Sequence, residues 1–427
     1  MDIRKTIGKY KSSEIVRSFL MLFSANTTAQ LIALLIYPFI TRLYSAADFG
    51  LLSLFLSIAG VLTILATMRY ESSIMLPHDQ KDAAALFDLS VVINGVVCLL
   101  IFVLVFACGK QIALLFNAPG LARWLWLLPV YVFVSALWQS WNNWLNRSRQ
   151  YRKIAVYGIS QSVIASMLKL LFGAIMLPGG LIYATVSGVV VAMGGNLLHK
   201  AENTFALLFH FDRTLMRQMG KEQKNFPCFT LPHALVNCLG GNLPILLLAP
   251  FFSSSEIGYF GVAIALAFTP ISVITTAMYQ VLFQQSNDKK MRKESLIPLV
   301  KEFLIKMTAV FLPLFILLYF VVPSIVQLLL GTKWHESGSI VIILLPWILL
   351  TLLTSPLSFM SVLFSKQKAA MWIEITYTAV RAGALFLGVC LNSFQGALVL
   401  FSGVSTVFIF GQLCWFLYLI YSNEKTT

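Results

Sequence analysis

Two isolated cations are the residues of this chain whose type and position suit the binding of an anion. Lys169 lies within the apolar stretch ISQSVIASMLKLLFGAIML, and Arg381 lies within ITYTAVRAGALFLGV. No acidic residue lies near the middle of any apolar stretch to pair with them. A cation at the centre of a bilayer costs about 2.5–3.5 kcal/mol on insertion scales, so it normally faces a wet cavity or binds a partner. The sequence therefore predicts an anionic substrate as the missing partner.

Smaller polar residues share helical faces with both cations. Ser166 precedes Lys169 by three residues, and Thr378 precedes Arg381 by the same interval, a spacing that places side chains on one helix face. Glu374 is about two turns, or ~10 Å, from Arg381 and is too distant along the helix to pair with it. We predict that these polar faces line a cavity. The alternative is that each cation binds backbone carbonyls of a neighbouring helix or extends to the membrane surface.

A third candidate cation, Arg69, ends another apolar stretch beside Glu71 in the sequence MRYESSIMLP. Arg69 is either half of an interfacial ion pair that anchors a helix or part of a charged rim that meets an anionic headgroup. Further polar residues within apolar stretches are candidates for the cavity lining. They are Asn26, Thr27, Gln30, Asn237 and Asn242. Their alternative role is hydrogen bonding between helices, worth about 0.6–2 kcal/mol each.

Two further patterns concern the aromatic, cysteine and histidine residues. Trp138, Trp141 and Trp144 recur every third residue near the end of one apolar stretch. This is typical of an aromatic belt at a membrane interface, with sugar stacking as the alternative.

The 6 cysteines and 5 histidines are scattered without metal-ligand spacing. We therefore predict no metal site, no catalytic set and no cofactor.

Composition places the chain among helical membrane proteins. Of its 427 residues, 58% are hydrophobic and 11% are charged, against about 25% charged in soluble domains. Apolar runs of roughly 20 residues recur along its whole length, which predicts membrane-spanning helices. Twelve spans are predicted, near residues 18–40, 49–68, 88–108, 124–145, 155–177, 180–199, 229–251, 259–281, 303–323, 339–361, 371–390 and 396–420.

The distribution of lysine and arginine predicts the orientation of these spans. With the N-terminus inside, 25 of the 31 lysine and arginine residues fall on the inner side. The outer loops hold only Arg42, Lys110, Arg123 and Lys333. The positive-inside rule is satisfied, so both termini are predicted to be cytoplasmic. The net charge of +14 is a signal of topology, and we do not predict nucleic-acid binding.

The chain is an internal duplication. SAADFGL at 45–51 matches SSSEIGY at 253–259, an offset of 208 residues. The pairs at 149–150 and 366–367, Arg-Gln and Lys-Gln, match at an offset of 217. Each half then has six spans in the same orientation. Such parallel repeats are typical of transporters, with the binding site between or within the halves.

Three segments follow from the duplication. We predict an N-terminal lobe at 1–199 with spans 1–6, and a C-terminal lobe at 229–427 with spans 7–12. Residues 200–228 form the linker between them. Read as a helix, the linker has apolar residues on one face and basic residues every fourth position on another. This pattern predicts an amphipathic helix on the cytoplasmic surface of the membrane.

Four stretches of the chain resemble those of a known family. They are YPFITRLYSAADFGLLSL, MRYESSIMLPHDQKDAAALFDLS, WLNRSRQYRKIA and NFPCFTLPHALVNCLGGNLPILLLAPFFSSSEIGYFGVA. These stretches resemble the polysaccharide and O-antigen flippases of the multidrug/oligosaccharidyl-lipid/polysaccharide (MOP) exporter superfamily. They occur in the family's order and span nearly the whole chain. The resemblance implies an all-α polytopic membrane protein with the MATE-like MOP exporter fold, two six-helix lobes around a cationic cavity.

The resemblance also implies a function. It implies a transporter of the bacterial inner membrane, not an enzyme, that moves an undecaprenyl-pyrophosphate-linked oligosaccharide to the outer leaflet by alternating access. The oligosaccharide would be an O-antigen or related surface repeat unit, as in lipopolysaccharide synthesis. We expect a monomer in the lipid bilayer, with a glycan polymerase and a chain-length regulator as candidate partners. Coupling to an H+ gradient, a Na+ gradient or the membrane potential is left open.

Two other functions are weighed against this one. A multidrug or cation exporter on the same fold would need a buried carboxylate for an organic cation, and none lies deep in an apolar stretch. A membrane-embedded glycan polymerase or ligase would need a large outer loop, or clustered acids or histidines at one membrane face. The sequence contains neither pattern.

Overall fold

The computed structural model describes residues 3–198, 208–292 and 294–424, and fourteen α-helices occur within them. They are α1 (Ile3–Leu43), α2 (Ala46–Thr67), α3 (Gln80–Leu115), α4 (Leu128–Arg147), α5 (Tyr151–Ala174), α6 (Gly180–Leu198), α7 (Arg213–Glu222), α8 (Leu231–Leu248), α9 (Ser254–Met291), α10 (Ile297–Leu330), α11 (His335–Thr354), α12 (Met360–Leu363), α13 (Gln367–Cys390) and α14 (Phe394–Glu424). A bilayer interior offers no water to backbone N–H and C=O groups, and a helix satisfies these groups internally.

Twelve long helices correspond one to one with the twelve predicted spans. They are all of the described α-helices except the short α7 and α12. Ten helical segments of the described chain combine the length and hydropathy needed to cross a membrane. The long helices outside that set are α1 and α4. The predicted all-α polytopic fold is confirmed.

Contacts between Cα atoms divide the chain into two compact units. The first comprises Met1–Tyr44 and Leu54–Leu239, and the second comprises Ser45–Ser53 and Gly240–Thr427. The start of α2 therefore belongs with the second unit, and α7 with the first. The lobe boundaries drawn from the sequence remain predictions. Of the predicted linker, residues 200–207 lie outside the described residues.

Aromatic residues of α3 and α4 form the core of the first unit. The ring of Phe87 lies 6.2 Å from the indoles of both Trp141 and Trp144, and all three side chains are buried. Trp138 stacks on Tyr157 of α5 at 3.4 Å between ring centroids. The predicted aromatic belt at the membrane interface is therefore wrong for Trp141 and Trp144, which pack inside the protein.

A buried carboxylate anchors the segment before α7 to this core. Asp88 of α3 is 2% exposed and accepts hydrogen bonds from the backbone N–H groups of Phe209 (2.8 Å) and Phe211 (3.0 Å). Both phenylalanines have left-handed backbone, with φ of 64° and 49°. Met216 and Met219 of α7 are buried in the same core. The apolar face of α7 therefore packs on protein.

In the second unit, the two copies of the duplicated segment begin α2 and α9 in the same way. The backbone N–H of Ser45 donates to the Asp48 carboxylate at 2.9 Å, and the Asp48 N–H donates to the Ser45 hydroxyl at 3.2 Å. Ser253 and Glu256 make the same reciprocal pair at 2.9 and 3.3 Å. Each pair is a capping box, which satisfies backbone N–H groups at a helix start.

Glycine lets α2 and α9 approach each other at backbone distance. A Cβ atom added to Gly50 would lie 1.7 Å from the carbonyl oxygen of Ser254, and one added to Gly258 would lie 1.8 Å from that of Ala46. The two glycines occupy equivalent positions in the duplicated segments. Small residues at helix contacts in membranes allow such close packing.

The turns that flank α5 and α13 have the same backbone conformation at equivalent positions of the two halves. Arg149 (φ 55°) and Ser365 (φ 56°) precede these helices in left-handed conformation, and Met176 (φ 53°) and Asn392 (φ 49°) follow them. Both pairs are related by an offset of 216 residues. The offset of 217 predicted from the sequence is therefore one residue too long at this point.

Replacing Gly50 with alanine is expected to destabilise the protein by about 3 kcal/mol or more, because a Cβ has no space beside the Ser254 carbonyl. The midpoint of thermal unfolding in detergent, or the folded yield, measures this loss. Gly383→Ala is the matched control, since a Cβ there meets nothing within 4 Å. An unchanged midpoint for Gly50→Ala would contradict the close approach of the two helices.

Replacing Asp88 with asparagine is expected to cost about 1–3 kcal/mol, because the amide nitrogen cannot accept the second backbone N–H. The segment at 208–212 should then be cut faster in limited proteolysis, and the unfolding midpoint should fall. Asp288→Asn, an exposed aspartate on α9, is the control. Equal cleavage rates for both variants would show that Asp88 does not hold this segment.

Candidate functional site

In the first unit, α1 and α5 lie side by side and run in the same direction. The Ser162 hydroxyl donates to the backbone carbonyl of Ala29 at 2.7 Å. Further along both helices, the Tyr44 hydroxyl donates to the backbone carbonyl of Lys169 at 2.8 Å. The candidate residues of α1 and α5 therefore belong to two adjacent helices.

Lys169 is half-buried on α5, one turn after the buried Ser166. Its backbone carbonyl is bonded to Tyr44, but its ammonium group has no carboxylate within 4.0 Å among the described residues. The sequence predicted a cation without a protein counter-charge at this position. Its role in binding an anion stays a prediction.

Arg381 is enclosed by aromatic side chains inside the second unit. It is 6% exposed, and its guanidinium carbon lies 4.5 Å from the ring centroid of Phe401, 4.7 Å from that of Tyr377 and 5.3 Å from that of Trp347. Cation–π contacts contribute about 0.5–2 kcal/mol each, and more where water is excluded. Three helices, α11, α13 and α14, thus hold one guanidinium group by their π faces.

Several polar atoms are buried around this guanidinium. They are Arg381 Nε, Tyr377 Oη, Trp347 Nε1 and, one turn beyond Phe401 on α14, Ser405 Oγ. The Tyr377 hydroxyl interacts with the Ser405 hydroxyl and the Trp347 indole, whereas Arg381 Nε has no hydrogen-bond partner among the described residues. Unsatisfied buried polar atoms cost about 1–3 kcal/mol each, so they are uncommon where they serve no purpose. The cluster has capacity to bind a polar ligand or water.

The sequence did not single out the aromatic neighbours of Arg381. Tyr377 lies one helical turn before Arg381, a spacing that the sequence shows directly. Trp347 and Phe401 lie on other helices, and no local pattern connects them to Arg381. Only the packing of α11 and α14 against α13 brings the three rings together.

The smaller polar candidates occupy varied positions. Thr378 donates its hydroxyl to the Glu374 carbonyl at 2.9 Å and lies 3.0 Å from a Cβ placed on Gly240 of α8. The other candidates are exposed or half-buried. They are Asn26, Thr27, Gln30, Asn237 and Asn242. Their role in lining a cavity stays a prediction.

Arg69 is paired with Glu71 where α2 ends. A guanidinium nitrogen lies 3.3 Å from a Glu71 carboxylate oxygen, and the two side chains are 29% and 2% exposed. Met68 and Arg69 both have left-handed backbone, with φ of 46° and 64°. Burial raises the pKa of the Glu71 carboxyl above its ordinary value, against the opposing effects of Thr67 and Arg69. Both sequence alternatives for Arg69 remain compatible with this geometry.

The long apolar helices place the chain in a class of proteins, the polytopic helical membrane proteins. A multidrug resistance MATE family transporter of the MOP superfamily, in an inward-facing conformation, superposes with a TM-score of 0.68 at 13% identity, covering 95% of each chain. The lipid II flippase MurJ, in an inward closed conformation, superposes with a TM-score of 0.74 at 13% identity, covering 94% of this chain and 87% of its own. The predicted MOP exporter fold is confirmed.

The sequence comparisons identify the family. A family described as polysaccharide biosynthesis protein matches residues 39–339, and the chain belongs to that family. Teichuronic acid biosynthesis protein TuaB of Bacillus subtilis (strain 168) is 23% identical over 298 residues. That match covers 68% of this chain and 59% of the length of the relative. The fold is thus shared with MATE and MurJ transporters, and the family is one of polysaccharide biosynthesis.

Replacing Glu71 with glutamine is expected to remove a pH-dependent loss of stability. Because burial raises the pKa of the folded carboxyl, the unfolded chain releases this proton at lower pH. Stability of the native protein should therefore fall as pH rises from the ordinary carboxyl pKa of the unfolded chain to the higher pKa of the folded carboxyl. The unfolding midpoint of Glu71→Gln should exceed that of the native protein at the upper end.

The control for this prediction is Glu222→Gln, an exposed glutamate on α7. Its midpoint should follow the native protein at every pH. A Glu71→Gln variant whose midpoint parallels the native protein over that pH range would contradict the effect of burial on Glu71.

Proposed function

We propose that this protein is a flippase that moves an undecaprenyl-pyrophosphate-linked oligosaccharide across the bacterial inner membrane, with the oligosaccharide an O-antigen or related repeat unit. The family match supports a role in polysaccharide synthesis. The superposition with a lipid II flippase supports a lipid-linked substrate, and the relationship to a teichuronic acid protein supports a surface glycan.

The observation that carries the proposal is the pair of cations in the long apolar helices. Neither Lys169 nor Arg381 has a carboxylate within 4.0 Å among the residues described. A diphosphate would supply the counter-charge for both, and its attraction to a cation is stronger in a site of low dielectric constant. Lys169 is the more exposed of the two, so we assign it the first contact with the substrate.

Arg381 has a different part in this mechanism. Its π contacts fix the guanidinium in one orientation, and Nε retains an unused donor. Arginine presents its donors in a planar fork that matches phosphate oxygens. A diphosphate that reaches the aromatic cluster would meet an oriented cation and the hydroxyl of Tyr377.

The register of the duplicated helices places the two cations at different positions along equivalent helices. At the offset of 216 residues, Arg381 corresponds to Ala165 of α5 and Lys169 corresponds to Leu385 of α13. The two cations thus differ by four residues along equivalent helices, or about 6 Å.

The membrane potential can drive this movement. With the inside negative, transfer of one net negative charge to the outside gains about 2.3 kcal/mol per 100 mV. The polyprenyl chain would remain in lipid while the charged head passes through the protein.

A cation exporter on the same fold is the second candidate function, favoured only by the superposition with a multidrug transporter. It would need a buried carboxylate that is free to bind an organic cation. Glu71 and Asp88 are the carboxylates found buried in the described chain. Glu71 is paired with Arg69, and Asp88 holds two backbone N–H groups. The half-buried Glu374 is the carboxylate to examine for this alternative.

Lys169→Ala and Arg381→Ala are expected to reduce display of the surface glycan at least tenfold, in cells that depend on this gene and at equal protein abundance. Lys301→Ala, an exposed lysine on α10, is the matched control and should retain full display. Arg381→Lys should restore part of the activity, because the charge remains while the planar fork is lost. Full display by both alanine variants would refute the proposed site.

Two further measurements separate binding from folding and from the alternative function. Thermal unfolding of Arg381→Ala tests whether its loss acts through stability, since three cation–π contacts are removed. Resistance to cationic drugs that disappears in Glu374→Gln, with glycan display unchanged, would favour the exporter.

A further inference from the structure

A groove between α5 and α6 of the first unit is separate from the residues assigned to the substrate. Its volume is about 620 Å³. On α5 it is lined by Val156, Ser160 and Ile164, whereas Gly158 and Ser162 of the same helix face α1. The groove therefore lies on a different side of α5 from the contact with α1.

Small residues of α6 create the space. A Cβ atom added to Gly194 or Gly195 would meet nothing within 4 Å, and Gly195 lines the groove. The floor is fixed by Asn196, whose Nδ2 donates to the Lys153 carbonyl at 2.8 Å and whose Oδ1 accepts from Trp141 Nε1 at 2.9 Å. Asn196 thus ties α6 to α4 and α5, so the groove does not depend on flexible side chains.

The two ends of the groove differ in chemistry. Gln150, Arg152 and Lys153 line the end near the start of α5, where the Arg152 side chain is exposed. Val156 and Val191, both exposed, line the walls beyond it. A basic mouth followed by an apolar trough is complementary to an anionic headgroup attached to a hydrocarbon chain. The basic end is also the one predicted to lie on the cytoplasmic side.

We propose that this groove binds an anionic phospholipid of the membrane. Its phosphate pairs with Arg152 at the mouth, and one acyl chain lies along Val156, Ile164 and Val191. The acyl chain can approach the backbone of α6 at Gly195, because glycine has no side chain to block it. Anionic headgroups are attracted to basic residues at a membrane surface, which is consistent with this orientation. The proposal does not depend on what the transporter carries.

Native mass spectrometry of the purified full chain tests the groove, with phosphatidylglycerol as the probe. Gly195→Trp fills the trough, and at least fivefold less bound phosphatidylglycerol is expected. Gly194→Trp is the matched control, because it adds the same side chain in open space at a position that does not line the groove. Unfolding midpoints of both variants confirm that they are folded.

Two arginine-to-glutamine variants test the basic mouth of the groove and leave its apolar trough unchanged. Arg152→Gln should lose phosphatidylglycerol at least fivefold, and Arg149→Gln, an exposed arginine outside the groove, should bind as the native protein does. Both arginines are exposed, so folding should be intact.

Four outcomes would overturn the proposal. The first is unchanged phosphatidylglycerol binding in both Gly195→Trp and Arg152→Gln, and the second is equal binding of phosphatidylcholine. Displacement of the lipid by inorganic phosphate alone would indicate a free-phosphate site. Preferential displacement by undecaprenyl phosphate would assign the groove to the carrier of the substrate instead.

Discussion

The free energy of burying a charge is the constraint on which the polar architecture of this protein depends. An ion moved from water into an apolar interior must regain its lost hydration from nearby groups. Glu71 regains part of it from the guanidinium of Arg69, and Asp88 from two backbone N–H groups. Arg381 is contacted by three aromatic faces, and neither Arg381 nor Lys169 has a carboxylate within 4.0 Å among the described residues. The buried anions thus have partners within the protein, complete for Asp88 and partial for Glu71, while the cations of the long apolar helices retain capacity for a ligand.

This asymmetry gives the two halves of the duplication different properties on a shared scaffold. Helices α5 and α13 are flanked by turns of matching conformation, yet a cation in one half corresponds to an apolar residue in the other. Ala165, the counterpart of Arg381, packs against Gly188 of α6, where no ring could fit. The aromatic cluster around Arg381 has therefore arisen in one half alone.

The sequence predicted features that depend on local pattern and on the membrane as solvent. The apolar runs predicted all twelve long helices, because the backbone N–H and C=O groups of a segment inside a bilayer must bond within the protein. The two cations without counter-charge were equally visible, since a charge within an apolar run is conspicuous. The aromatic neighbours of Arg381 were not predictable, because Trp347 and Phe401 lie far from it in the chain. The tryptophans of α4 were misplaced for a related reason: their spacing fits both a belt and a packed face, and only contact with Phe87 distinguishes the two.

The paired capping boxes show what a duplication preserves when its residues diverge. SAAD and SSSE share one residue, the serine, yet the hydroxyl and carboxylate make the same reciprocal bonds to within 0.1 Å. Aspartate and glutamate are interchangeable there because only the reach of the carboxylate matters. The two copies therefore share a pattern of hydrogen-bond donors and acceptors, although different residue types provide it. Conservation of such interactions rather than of residue types is consistent with the superposition of this chain on a lipid II flippase at 13% identity over 94% of its length.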